Sequence, residues 1–399
     1  MKGRKIRDKP LPPMYPGATM IGKEEKKAVM EVLDAQSLFR YYGPKFLNKV
    51  RKFETAFANE IGVMYALGVT SGTASLLTSL MAAGVKAGDE VIIPAYTWIA
   101  TATSVMATRA TPVLAEVDGS LTLDPEDLET KITEKTKAVI PVHMRGIGCK
   151  MDEIMRIAKE HRLAVIEDCA QSCGASYRGK RIGSIGDMGA FSFQLNKVIT
   201  AGEGGAITTN EKRLFERAVM FHDMAALVRE EFWGKFESEP LYGLNFRMSE
   251  IAGAILLEQL KKLDKILSLT RRAKQAIKKG IEDVKAIEFR EVPDQKGDTG
   301  ICLIFFLENA GKAKAFADAL CKNNLTGPGY GTFVIYDPSK PDWHVYAHWK
   351  RVTPFKGDEC PRTLELLGRA VHMDVSPLLT KQDISQIIDG IRMLAKELS

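Results

Sequence analysis

Apolar and polar positions along this chain recur with two different periods, and the switches between them lay out its elements. Helical spacing of apolar residues predicts helices over 23–33 and 54–61. Beyond them, short apolar runs alternate with helical stretches. The runs at 90–94, 111–117, 138–142 and 163–167 predict strands. Helices are predicted from Ser71-Gly72-Thr73 to about Ala83, and over 99–107, 124–132 and 152–161. The one beginning at Asp124 carries Pro125 and Glu126 in its first turn, where a missing N–H costs nothing and an acid favours the helix dipole.

Strands and helices in strict alternation predict an α/β fold, with a mainly parallel mixed sheet covered by helices. A long helical stretch over 249–279 follows, with Ile251, Ile255, Leu256, Leu260 and Leu263 on its apolar face. The pattern then changes to a strand at 301–307, a helix at 313–323 and a closing helix at 383–398. Three regions are therefore expected. An N-terminal arm over 1–20 contains Pro10-Leu11-Pro12-Pro13 and should be extended. A large domain over 21–264 should hold the ligand site, and 265–399 should form a smaller α+β domain. No internal repeat or low-complexity tract interrupts this plan.

The chain has 399 residues, too many for one core, and its 45% hydrophobic content can bury more than one. The net charge of +6 comes from 56 basic and 50 acidic residues that are interleaved. A nucleic-acid partner would need a concentrated basic stripe with aromatic neighbours, and none is visible. No window reaches the ~20 apolar residues of a membrane span, and no apolar leader opens the sequence, so a cytoplasmic protein is expected. The six cysteines form no CxxC pair. Cys169 and Cys173 have no histidine cluster near them in sequence, so free thiols and no metal are expected.

Four constellations carry candidate chemistry. Ser71-Gly72-Thr73-Ala74 precedes a helical run, and a helix N-terminus with small residues offers N–H groups to an anion. Glu167 and Asp168 end an apolar strand, where ligands of open α/β sheets bind. A carboxylate there can hold a protonated ring nitrogen. Lys197 lies between the apolar run 189–195 and the Gly-rich turn Gly202-Glu203-Gly204-Gly205. Glycines let backbone approach a ligand closely, and a desolvated lysine amine is a Schiff-base nucleophile. Gly243-Leu244-Asn245-Phe246-Arg247-Met248-Ser249 opens the long helical stretch, with Ser249 as its cap. Each taken alone is equally well a cap, a strand end or a solvated loop.

Their order along the chain resembles the DegT/DnrJ/EryC1/StrS sugar aminotransferases, a branch of the fold-type I pyridoxal-phosphate enzymes. The matching segments are Ser-Gly-Thr-Ala at 71–74, Gly-Asp-Glu-Val-Ile-Ile-Pro at 88–94, Thr-Trp-Ile-Ala-Thr-Ala at 97–102 and Pro-Val-His at 141–143. Further along come Ile-Glu-Asp-Cys-Ala-Gln at 166–171, Phe-Ser-Phe through Lys197, Gly-Glu-Gly-Gly-Ala at 202–206 and Gly-Leu-Asn-Phe-Arg-Met-Ser-Glu at 243–250. The last third matches weakly.

The resemblance implies pyridoxal 5'-phosphate carried by Lys197, with Asp168 on the pyridine nitrogen and Gln171 near the phenolic oxygen. It implies Trp98 stacked on the ring, Gly72, Thr73 and Ser192 at the phosphate, and Asn245 reaching the phosphate of a neighbouring subunit, hence a homodimer. The implied reaction moves an amino group from glutamate or glutamine to a keto-sugar. Related dehydratases carry histidine in place of the lysine, so Lys197 favours transamination over a dehydratase. A non-catalytic regulatory protein of the same fold is the other alternative. Segments around Val142-His143-Met144, Lys150-Met151-Asp152, Phe289-Arg290-Glu291 and Asp342-Trp343-His344 are similar to the branch that aminates an oxidised keto-deoxyoctulosonate. A nucleotide-linked ketohexose is as good a candidate. Were the substrate an acid sugar, Arg247, Arg145 or His344 would be candidates to meet its carboxylate. His222 and His372 are expected to be packed or surface residues.

Overall fold

Alternating strands and helices put their apolar faces into a layered core. The computed structural model describes residues 5–397. The opening helices α1 (Lys23–Asp34) and α2 (Lys49–Ile61) precede strand β1 (Tyr65–Val69) and helix α3 (Gly72–Ala82). Then follow β2 (Glu90–Pro94), α4 (Ala100–Ala107), β3 (Thr111–Ala115), α5 (Pro125–Thr130), β4 (Thr136–Val139), α6 (Met151–His161) and β5 (Ala164–Asp168). A small hairpin, β6 (Ser176–Tyr177) with β7 (Lys180–Arg181), leads to β8 (Met188–Ser192), β9 (Gly205–Thr209) and α7 (Lys212–His222).

Seven of these strands form one sheet in the order β1-β9-β8-β5-β4-β2-β3. Neighbours from β8 to β3 pair in parallel, and β9 runs against both of its neighbours. The fold is therefore α/β with a mainly parallel mixed sheet, as the alternation predicts. Asp168 ends β5 and Ser192 ends the adjacent β8, so both lie at the carboxyl edge of the sheet.

Beyond the sheet come α8 (Glu250–Leu260) and α9 (Leu263–Ile281). The remainder comprises β10 (Glu288–Phe289), β11 (Cys302–Phe306), α10 (Ala310–Lys322), β12 (Thr332–Val334), α11 (Pro361–Arg369), β13 (Ala370–Asp374) and α12 (Lys381–Glu397). Its four strands form an antiparallel sheet in the order β10-β11-β13-β12. Leu303, Phe305 and Val371 from this sheet pack with Phe316, Ile387 and Ile391 from the helices. Helix α9 joins the two parts: Leu263, Ile266 and Leu267 pack beside Phe53 and Phe193, while Ala273, Ile277 and Ile281 pack into the C-terminal core. The Pro-rich segment is extended and laid on that second part, with Leu11 N–H donating to Thr326 O at 2.9 Å and Met14 N–H to Pro328 O at 2.7 Å.

Two expectations need correction. The stretch 249–279 is two helices, not one, separated at Lys261–Lys262. Its apolar repeat runs on through the break, because α8 packs on α1 and α2 while α9 packs on α12, and periodicity does not encode a change of packing partner. Helix α2 begins at Lys49, a turn and more before the predicted Glu54. The cause is distant in sequence: the buried Glu250 carboxylate accepts the Lys49 N–H at 2.6 Å and the Val50 N–H at 2.9 Å, satisfying N–H groups that a local cap would otherwise take.

Candidate active site

The carboxyl edge of the large sheet opens onto a cavity of about 340 Å³. Strand β1 delivers Ser71, which caps α3 by accepting the Ala74 N–H at 3.1 Å. That leaves the α3 terminus, with Gly72 and Thr73, facing the cavity alongside Ser192. Gly72 is required there, since a Cβ at this position would lie 2.7 Å from Ser192 Cβ. Gly205 is pressed as closely, because its Cβ would meet Ser71 O at 2.3 Å. The small residues noted in the sequence thus bring α3, β8 and β9 together around one anion-accepting terminus.

Asp168 lines the same cavity and is buried. Its Oδ1 accepts the Ala170 N–H at 3.1 Å and its Oδ2 accepts the Thr101 hydroxyl at 2.9 Å. Burial pushes the carboxyl above its ordinary pKa, against the pull of these two donors and of the charge on Lys197. A cation held against the carboxylate would reverse that shift. Lys197 sits on a tight turn closed by its own N–H to Gln194 O at 2.9 Å, and its carbonyl accepts the Gly17 N–H at 3.4 Å. It shares the cavity wall with Gln171, Trp98, Gln194, Asn196 and Glu203. Trp98 is 41% exposed, an uncommon state for a tryptophan packed in a core, and its ring stands 4.9 Å from that of His344.

Seven of the residues singled out in the sequence therefore meet in one place: Gly72, Thr73, Trp98, Asp168, Gln171, Ser192 and Lys197. Asn245 does not join them. It is exposed and pairs its backbone with Asp223 away from the cavity. Arg247, a candidate carboxylate partner, is likewise elsewhere, its Nη1 donating to Asp223 Oδ1 at 2.7 Å. His222 is fully buried, as a packed histidine should be. His372 was expected to be packed or on the surface; it is buried, and it also lines a small chamber that adjoins the cavity.

Sequence reasoning missed Thr97, Thr101 and Tyr330. Thr97 and Thr101 lie four residues apart, on either side of the start of α4, with their hydroxyls 2.7 Å from each other, so two threonines at that spacing were the available signal. Tyr330 sits in Gly327-Pro328-Gly329-Tyr330-Gly331, a turn signal whose place in the same cavity wall as Lys197 no local pattern reveals.

The fold also corrects the picture around Cys169. His143, remote in sequence, comes within 4.8 Å of Glu167 and Cys169, a trio of potential metal ligands. The trio is already satisfied internally. Glu167 Oε1 accepts the N–H groups of Ile185 at 2.8 Å and Gly186 at 2.7 Å, and Oε2 accepts that of Gly183 at 2.8 Å. The Cys149 N–H occupies His143 Nδ1 at 3.1 Å, which leaves the proton on Nε2, 2.9 Å from Glu167 Oε2. Burial holds the Cys169 thiol protonated.

Residues 19–392 match the DegT/DnrJ/EryC1/StrS aminotransferase family. The GDP-perosamine synthase of Caulobacter vibrioides is 40% identical over 66% of this chain and 68% of its own. The dTDP-3-amino-3,6-dideoxy-alpha-D-galactopyranose transaminase of Aneurinibacillus thermoaerophilus is 32% identical over 86% of this chain and 89% of its own. Among solved structures, an aminotransferase from Psychrobacter cryohalolentis superposes with a TM-score of 0.82 at 29% identity, covering 95% of this chain and 98% of that one. A match spanning nearly the whole length, on a mixed sheet whose carboxyl edge gathers a lysine, an acid and a free helix terminus, places this chain in the DegT/DnrJ/EryC1/StrS family of pyridoxal-phosphate-dependent aminotransferases.

Proposed function

We infer that this enzyme transfers an amino group from glutamate or glutamine to a keto-sugar, either a nucleotide-linked ketohexose or an oxidised keto-deoxyoctulosonate. The observation that carries the reading is the convergence of Lys197, Asp168 and the α3 terminus on one cavity. The relatives named above act on nucleotide-linked sugars, which supports a sugar acceptor.

The residues fit pyridoxal phosphate on chemical grounds. The α3 N–H groups with Thr73 and Ser192 offer donors to a phosphate dianion, and the Gly72 contact leaves room for it. Trp98 and Gln171 line the cavity, and Asp168 offers a buried carboxylate for a ring N–H. When bound, the cofactor supplies an electron sink for the carbanion formed at the substrate carbon. The chain's own residues do the rest. Lys197 Nζ would hold the cofactor and, once free of it, would take up and return the proton at the substrate carbon that bears the nitrogen. Asp168, held by Thr101 and the Ala170 N–H, keeps the facing nitrogen protonated.

Asn245 is assigned to the phosphate site of a second copy, which makes the working unit a homodimer. Its surroundings support this: Met224, Val228, Trp233, Tyr242 and Leu244 are all exposed apolar side chains close to it in sequence, Tyr242 being 96% exposed.

The test is chemical. Purified protein should be yellow, and glutamate should bleach it. Borohydride reduction followed by peptide mapping should put the label on Lys197, and Lys197→Ala should abolish bleaching with the fold intact. A label on another lysine, or none, overturns the reading.

A further inference from the structure

A second, smaller chamber of about 30 Å³ adjoins the cavity and shares Ala170, Gln171, Asn196, Lys197 and Tyr330 with it. That is room for about two waters, or for one small charged group carried by a larger ligand. Arg145 forms part of its wall. This side chain is 3% exposed and makes no salt bridge with any described residue. Its Nε donates to the neutral Tyr96 hydroxyl at 3.3 Å, and its guanidinium lies 4.2 Å from the centre of the Tyr330 ring. Its Nη2 is buried with no hydrogen-bond partner among the described residues. The carboxylates nearby are engaged elsewhere: Asp374, which also lines the chamber, accepts from the His372 ring and the Gly331 N–H, and Asp342 pairs with His344. A buried guanidinium with no carboxylate at ion-pair distance is a costly arrangement in a protein interior.

The backbone around it is held with equal insistence. Arg145 is in the left-handed region, at φ 53° and ψ 47°, and Gly146 follows at φ 90°. Two donors from the buried Arg290 fix this conformation, Nη1 to Met144 O at 3.2 Å and Nη2 to Arg145 O at 3.1 Å. The Gly146 N–H donates to Ser172 Oγ at 3.0 Å. Such strain in a non-glycine residue persists where the surroundings over-determine it, and it clusters at ligand clamps.

We propose that Arg145 is the carboxylate-binding residue of this enzyme, seating a substrate carboxylate in the chamber beside Lys197. The inference rests on the aminotransferase reading and deepens it. A guanidinium offers paired N–H donors that match a carboxylate, and no described residue competes for the Arg145 Nη2. Of the other two candidates, Arg247 is neutralised by Asp223. His344 is held neutral, its pKa lowered to about 4 by burial and by the nearby charge of Arg145. The carboxylate has two sources, the amino-acid donor or an acid-sugar acceptor, and the experiment separates them.

Succinate, which carries no amine or ketone to react, is titrated calorimetrically into the holoenzyme and compared with succinamide. Wild-type protein should bind succinate and not the amide. Arg145→Gln should weaken succinate by about tenfold or more, and Arg145→Lys, which keeps a cation, by less. Equal binding of succinate and succinamide to wild type, or unchanged succinate binding in Arg145→Gln, overturns the proposal. A raised KM for glutamate in the bleaching half-reaction assigns the site to the donor. Weakened binding of keto-deoxyoctulosonate, with glutamate unaffected, assigns it to the acceptor. Borohydride labelling of Lys197 in both proteins keeps the two readings apart: a labelled Lys197 with unchanged succinate binding sinks the arginine alone, whereas an unlabelled wild type sinks the aminotransferase.

Discussion

The hydroxyl of Thr101 donates to Asp168 Oδ2 at 2.9 Å, between two buried side chains at the cavity wall. Burial raises the Asp168 pKa, and this hydrogen bond works against the rise. Asp168→Asn should therefore cost about 10²–10³-fold in kcat while leaving the melting temperature nearly unchanged, because the amide fills the same space without a charge. Thr101→Val removes one donor to a charged acceptor and should cost about tenfold. It should also move the acid limb of the pH–rate profile to higher pH, since the carboxylate loses a partner that favours its ionised form. An unmoved acid limb would show that Thr101 only packs.

How much of this site a single sequence could disclose depended on how local each signal is. Lys197 and Asp168 announce themselves because each interrupts or ends an apolar run at a place where a buried face cannot hold a charge. Gly72 and Ser71 do so because a cap and a close approach both demand small residues. Thr101 and Tyr330 stay hidden, since their meaning lies in what they face, and Arg145 is only one of three candidate carboxylate partners that the sequence cannot rank. It is the fold that sets Arg145 apart, by burying it with its Nη2 unpartnered among the described residues. The break at Lys261–Lys262 and the Glu250 cap on α2 are hidden for the same reason, being decided by partners elsewhere in the chain. Strands as short as Glu288–Phe289 carry too few residues for any period to show.

Behind the site, Glu167 gathers three backbone N–H groups and the His143 ring, all within 2.9 Å. Removing the carboxylate, which is itself fully buried, strands the His143 ring and the Gly183 N–H in buried positions and the Ile185 and Gly186 N–H groups in partly buried ones. Glu167→Ala should destabilise the fold by about 3–5 kcal/mol, read as a lowered urea midpoint with an unchanged slope. A chelator should leave the melting temperature of wild-type protein where it is, because the lone pairs a metal would use on Glu167 and His143 are already engaged. A chelator-induced drop would mean that His143, Glu167 and Cys169 bind an ion after all.

The position of Asn245, exposed and outside its own cavity, makes a cross-subunit role directly testable. Asn245→Ala and Lys197→Ala subunits should each be inactive or nearly so alone. In a two-fold dimer, a mixed pair regains one complete site, with the lysine from one copy and the asparagine from the other. Random exchange of equal amounts should then restore about a quarter of wild-type activity. Failure of the mixture to exceed its components would place Asn245 outside the site altogether.

His222 sets a pH dependence whose sign follows from its surroundings. It is fully buried, its Nδ1–H donates to Val219 O at 2.6 Å, and its Nε2 faces the Tyr41 hydroxyl at 3.4 Å. Burial, reinforced by the charge of Arg40, lowers its pKa to about 3. An unfolded chain takes up a proton near pH 6.5, so below that value the unfolded state binds more protons than the folded one. The neutral ring thus contributes its full stability above about pH 6.5 and loses it as the pH falls toward 3. The slope is about 1.4 kcal/mol per pH unit for one such group. His344, lowered to about 4, adds a second contribution of the same sign. His143 and His372, both raised, contribute with the opposite sign, so urea unfolding at pH 7, 6 and 5 is read as the fall in stability with acid compared between wild type and variant. In His222→Gln, which keeps a polar side chain and cannot titrate, that fall should be shallower by close to one proton's worth. Parallel pH slopes in the two proteins would mean that His222 titrates as freely folded as unfolded.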